Sequence, residues 1–202
     1  MLGIIEACDY EIEKIKGSRF IGYAFPLVSL DEFDQALQIV KLKYTSARHY
    51  CWAYQGRGKD DYRYSDDGEP SGTAGKPILQ VIQGKGLSNT LVIVVRYFGG
   101  TKLGTGGLAR AYASASKQVL DLCDIIEMKK HVDLEMRISY SFEASFQHFL
   151  KQFEAHCLTL DYSDQVSIKM RILSEQKEEF IAGITEKTAG RTTITCSEEY
   201  WA

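Results

Sequence analysis

Two segments of this sequence have residue types and spacing suited to chemistry. The first is Arg96, Tyr97, Phe98, Gly99, Gly100, Thr101, Lys102, Leu103, Gly104, Thr105, Gly106, Gly107, which reads as a strand end passing through a glycine loop into a helix. Backbone amides at a helix start lack intrahelical acceptors and sit at the positive end of the helix dipole, so they attract anions. Arg96, Lys102 and Arg110 would add cationic groups, and Tyr97 an aromatic one, to a pocket built on Gly99, Gly100, Gly104, Gly106 and Gly107. The lysine does not follow the final glycines as in a P-loop, and no acidic ribose-binding residue marks a dinucleotide site. A tight connection whose glycines serve only close packing is the alternative. On either reading Gly106 and Gly107 are expected to be required by backbone geometry.

The second segment is Asp66, Asp67, Gly68, Glu69, Pro70, Ser71, Gly72, Thr73, Ala74, Gly75, Lys76. Asp66, Asp67 and Glu69 could together hold Mg²⁺, or one could act as a general base. The simpler reading is a turn capped by aspartate side chains, leading into a helix near Pro77. Carboxylates converging beside the Gly104–Gly107 turn would favour an enzyme, and side chains spent on turn amides would favour a binder. His49 and Cys51 share one face of a strand, yet side chains two residues apart on a strand lie too far apart for a Cys–His catalytic pair. Tyr62, Tyr64, Tyr97, Phe98 and Tyr112 interleave with Arg63, Arg96 and Arg110, a mixture compatible with base stacking beside phosphate contacts and also with ordinary core packing.

The elements that must position these residues are legible from periodicity. A strand is expected over Arg19–Leu27 and a helix from about Leu30 to Tyr44, with Ser29 and Glu32 spaced as a capping box. Further strands are expected at His49–Gln55, Asp61–Tyr64 and Leu91–Val95, the last a continuous aliphatic run buried on both faces. A helix from about Gly106 to Cys123 carries enough small residues to lie close against a sheet. Twelve of the 17 glycines fall between Gly56 and Gly107, so backbone geometry there is chosen for something other than packing.

After Lys130 the pattern restarts as a complete βαββαβ unit. Val132, Leu134, Met136 and Ile138 alternate as a strand, and Phe142, Phe146, Phe149, Leu150 and Phe153 form a helical stripe. Two strands follow at Leu158–Tyr162 and Val166–Ile172, then a helix near Glu175–Lys187 and a strand near Thr192–Cys196. The reading is two domains, 1–130 and 131–202. The first carries a formal charge of +2 and the second −5, so any nucleic-acid contact is expected on the first.

The net charge of −3 gives no global field toward nucleic acid or an anionic membrane. Five scattered cysteines without a C-x-x-C pair suit neither a disulfide framework nor structural zinc, and no apolar run reaches membrane-spanning length. Acidic residues occupy the stretch where a signal peptide would be apolar. A cytosolic protein without membrane contact, metal or cofactor is therefore expected.

Taken together, DDGEPSGTAGK at Asp66–Lys76 and RYFGGTKLGTGGL at Arg96–Leu108 resemble the paired motifs of the IMPACT family, close to its bacterial members. KGSRFIGYAFP at Lys16–Pro26 and HYCWAY at His49–Tyr54 extend the likeness over nearly all of the first domain. The resemblance implies an α+β protein: an N-terminal domain like the second domain of ribosomal protein S5, then a ferredoxin-like domain similar to the last domain of elongation factor G. Both relatives meet RNA on the ribosome, so the resemblance implies a translation-linked binder of RNA, ribosome or a translation factor. Eukaryotic members are linked to relief of the kinase pathway that arrests initiation. They engage their partner through an extra N-terminal domain for which there is no room before Arg19, so that partnership is not expected here. The family brings no established catalytic residues. A metal-assisted enzyme acting on a phosphorylated or nucleotide substrate, and a protein-interaction module without anion specificity, stand as alternatives.

Overall fold

The computed structural model describes residues 1–27 and 32–201, and divides into two compact units, Met1–Glu127 and Met128–Ala202. The proposed capping residue Ser29 lies outside the described residues. In the first unit the strands are β1 (Leu2–Ile4), β2 (Cys8–Glu11), β3 (Arg19–Pro26), β4 (His49–Gln55), β5 (Tyr62–Ser65), β6 (Thr90–Tyr97) and β7 (Ile125–Glu127). Its helices are α1 (Phe33–Lys43), α2 (Gly75–Gly84) and α3 (Thr105–Leu122).

Five strands form an antiparallel sheet in the order β2-β3-β6-β4-β5. Central β6 is buried from Thr90 to Arg96, as its aliphatic run demands. Successive side chains of a strand point to opposite faces, which splits the core in two. Phe20, Ala24, Cys51, Ala53, Val92 and Val94 pack under α2 and α3. Ile21, Phe25, Tyr54, Leu91, Ile93 and Val95 pack under α1 through Ala36 and Val40. β1 and β7 pair separately, with Leu2 opposite Glu127 and Ile4 opposite Ile125.

The second unit has the order β8 (Lys130–Ile138), α4 (Tyr140–Leu150), β9 (His156–Tyr162), β10 (Val166–Leu173), α5 (Lys177–Lys187), β11 (Ile194–Cys196), with β12 (Tyr200–Trp201) added beside β8. Its antiparallel sheet runs β11-β8-β10-β9, the ferredoxin-like arrangement. Val132, Leu134, Met136 and Ile138 of β8 and Val166, Ile168, Met170 and Ile172 of β10 face Phe146, Phe149, Phe180 and Ile184 of the helices. The chain is thus a mixed α+β protein. No helix among the described residues is long and apolar enough to cross a membrane.

Candidate functional site

The two glycine-rich segments meet at the ends of β4 and β6, where they enclose a buried polar cluster. Glu69 is its centre. The Arg96 guanidinium donates to Glu69 Oε1 at 2.5 Å, with side-chain exposures of only 6% and 4% for the pair. The Tyr112 hydroxyl, from the first turns of α3, donates to the same oxygen at 2.8 Å. Cys51 Sγ lies 3.3 Å from the Tyr112 hydroxyl and 2.9 Å from the Asp66 carbonyl. Burial pushes the Cys51 thiol up to about 12, so it packs as an inert neutral group. Burial, together with the Cys51 thiol and Glu69 beside it, likewise holds the Tyr112 phenol protonated.

Around this centre the aspartates close the turn. Asp66 accepts the amides of Ala74 and Gly75 on Oδ1 and of Gly72 on Oδ2, all within 2.9 Å, and so fills the start of α2. Burial alone would raise the pKa of its carboxyl, but the three amides outweigh that and hold it below the ordinary value. Asp67 Oδ2 accepts the Tyr50 amide at 2.6 Å, and its carbonyl lies 2.7 Å from His49 Nδ1. The alternative metal-holding set of Asp66, Asp67 and Glu69 is therefore corrected: each carboxylate is bound to its own protein donors. No group of three His, Cys, Asp or Glu among the described residues could hold a metal.

Arg96 is corrected in the same way. Expected as a free cation of an anion pocket, it is buried with Glu69 because a strand-end arginine on this face points under α3 rather than outward. Its guanidinium lies 5.5 Å from the ring centres of both Phe20 and Phe98. Tyr97 turns to the opposite face of the sheet, where its hydroxyl donates to the Thr45 carbonyl at 2.9 Å and Arg19 stands over its ring. It does not join the glycine face. Gly99 packs against the turn at Gly17 and Ser18, and a Cβ there would stand 1.8 Å from the Gly17 carbonyl carbon. The Gly99 amide donates to buried Ser18 Oγ at 3.1 Å.

Lys102, Gly104, Gly106, Gly107 and Arg110 do come together at the start of α3. Gly104 caps it at φ 75°, a conformation that favours glycine, and accepts the Leu108 amide at 2.9 Å. The amides of Thr105, Gly106 and Gly107 precede that first helical bond, with no side-chain cap and no acidic residue in the turn. Lys102 and Arg110 are exposed and make no ion pair among the described residues. The backbone requirement expected at Gly106 falls instead on Gly99 and Gly104, for a Cβ at Gly106 would meet only Arg110 Nη1, at 3.7 Å. Sequence reasoning missed Ser18 and the roles of Tyr112 and Cys51 in the cluster. The serine within KGSRF, adjoining the other blocks of the resemblance, was the available signal for the first.

Comparison with known proteins extends over both units. A model of the Impact N-terminal domain matches residues 16–120, and one of a domain of unknown function (DUF1949) matches residues 136–191. The chain is 34% identical over 189 residues to an IMPACT family member of Haemophilus influenzae, covering 92% of each. It is 33% identical over 191 residues to the IMPACT family member YvyE of Bacillus subtilis, covering 94% of this chain and 87% of that one. Against the IMPACT family member YigZ of Escherichia coli it is 30% identical over 191 residues, covering 93% and 94%. A crystal structure of a hypothetical protein, 29% identical, superposes with a TM-score of 0.69 over 98% of this chain and 97% of that one.

Proposed function

This chain belongs to the IMPACT family, a family linked to translation regulation, and on that premise we propose that it binds RNA phosphates at the start of α3. The RNA is taken free, on the ribosome, or with a translation factor. The observation that carries the reading is a contrast between two helix starts in one unit. The amides leading into α2 are filled by the chain's own Asp66 carboxylate, whereas those of Thr105, Gly106 and Gly107 at α3 have no acceptor among the described residues and stand between exposed Lys102 and Arg110. An anion supplied from outside completes the second as Asp66 completes the first. Phe98, 45% exposed and with the Arg96 guanidinium near its ring, offers a rigid surface on which an unpaired base can stack.

Fluorescence anisotropy with a single-stranded RNA oligonucleotide, titrated with salt, tests this reading. Phosphate contacts release counterions, so affinity is expected to fall steeply with salt, and Lys102→Ala and Arg110→Ala are each expected to reduce the slope by about one. Lys151→Ala, in the other unit, is the control expected to leave the slope unchanged. Absence of wild-type binding at low salt, or unchanged slopes in both variants, would replace this reading with a protein-interaction surface.

A further inference from the structure

The helices α4 and α5 cover one face of the second unit's sheet, and the other face carries an open cavity of about 640 Å³. That volume falls within the roughly 300–1,000 Å³ of small-molecule sites. Two cross-strand rows build its floor. In one, Arg137 of β8 stands opposite Ser167 of β10, which stands opposite Asp161 of β9. In the next, Thr195, Glu135, Lys169 and Thr159 follow one another across β11, β8, β10 and β9.

The rows differ in how their charges are used. Glu135 and Lys169 pair with each other at 3.1 Å. Arg137 and Asp161 form no ion pair among the described residues, and with strands about 4.8 Å apart their backbones stand about 10 Å from one another. Arg191 adds a second guanidinium on the β11 side, its Nε donating to the Thr188 carbonyl at 3.2 Å and its terminal nitrogens making no ion pair among the described residues. Gln165 adds an amide on the Asp161 side. The lining contains no aromatic residue, so the cavity lacks the stacking platform that a sheet needs to bind bases. Two guanidiniums on one side, a carboxylate and an amide on the other, and hydroxyls between them describe the complement of a ligand with an anionic end and a hydroxylated body.

We propose that this cavity binds a small hydroxyl-bearing organic anion, its phosphate or carboxylate held by Arg137 and Arg191 and its hydroxyls directed to Asp161, Gln165 and Ser167. The site is independent of the RNA-binding reading, because all its residues belong to the second unit.

Amide chemical-shift titration of the full chain with ribose 5-phosphate, gluconate and neutral ribose tests it. Saturable shifts confined to residues 135–137, 159–169 and 191–195 are expected with one or both anions and not with ribose; the responding anion tells phosphate from carboxylate. Arg137→Ala and Arg191→Ala, exposed positions whose loss leaves the core intact, are each expected to weaken binding about tenfold or more. Asp161→Asn is expected to weaken ribose 5-phosphate binding and leave inorganic phosphate binding unchanged. Shifts absent with both anions, shifts centred on the start of α3, or undiminished binding in the two arginine variants would overturn the proposal.

Discussion

Arg96 of β6 and Tyr112 of α3 donate to one and the same oxygen of Glu69, so a strand, a helix and the turn between β5 and α2 are fastened at a single atom. The cluster is buried, and its members are more strongly coupled than pairwise contacts on a surface would be.

Removing Glu69 leaves the Arg96 guanidinium buried without its counter-charge. Glu69→Ala is expected to destabilise the first unit by about 3–5 kcal/mol in urea denaturation. Glu69→Gln should cost less, since it keeps an acceptor for Tyr112 while losing the charge. Equal costs for the two variants would show that the lost charge accounts for the whole effect and that the acceptor for Tyr112 adds nothing.

Asp66 links stability to pH. Its carboxyl titrates below the ordinary value of 3.8 in the folded chain, so the unfolded chain binds the proton first as acid is added. The stabilisation it gives is complete above that value and is lost as pH falls through the lower folded one. Acid unfolding followed by circular dichroism should therefore be shallower below about pH 4 for Asp66→Asn than for wild type. At neutral pH that variant is expected to cost about 1–2 kcal/mol, as for loss of a helix cap.

Two glycines of the same segment, one in the loop and one in the first turn of α3, should respond oppositely. Gly99→Ala drives a methyl group into the Gly17 backbone and is expected to cost about 2 kcal/mol or more. Gly106→Ala meets only the far end of the Arg110 side chain, at ordinary contact distance, and should stabilise α3 by about 0.5–1 kcal/mol. Thermal denaturation of the two variants checks this, and similar losses in both would refute it.

Limited trypsin digestion should cut first after Lys129 or Lys130. These exposed lysines follow β7, which ends the first unit, and Lys130 opens β8 of the second. Two resistant fragments are expected on a gel. An initial cut after Arg96, inside β6, would contradict the division.

The second unit was legible because its signals are local: the alternation from Val132 to Ile138 and the phenylalanine spacing of α4 each lie within one element. Strands β1, β2, β7 and β12 were not read, because two to four residues are too few to show a period. The site divided along the same line. Lys102 and Arg110 stand in the open, but Arg96 is matched by Glu69 from 27 residues away, a pairing no local window contains. An arginine beside glycines looks the same in sequence whether its charge serves a ligand or a fold. Burial decides between them, and burial is set by tertiary structure.

The pairing of β1 with β7 lays residues 2–4 alongside residues 125–127, so the first unit begins and finishes at one place. Its backbone is close to a ring. A short peptide joining residue 127 to residue 1, with new ends opened in the exposed 57–61 turn between β4 and β5, should give a circular permutant that keeps the sheet order and the Glu69 cluster. That molecule would carry the start of α3 with no second unit in the chain.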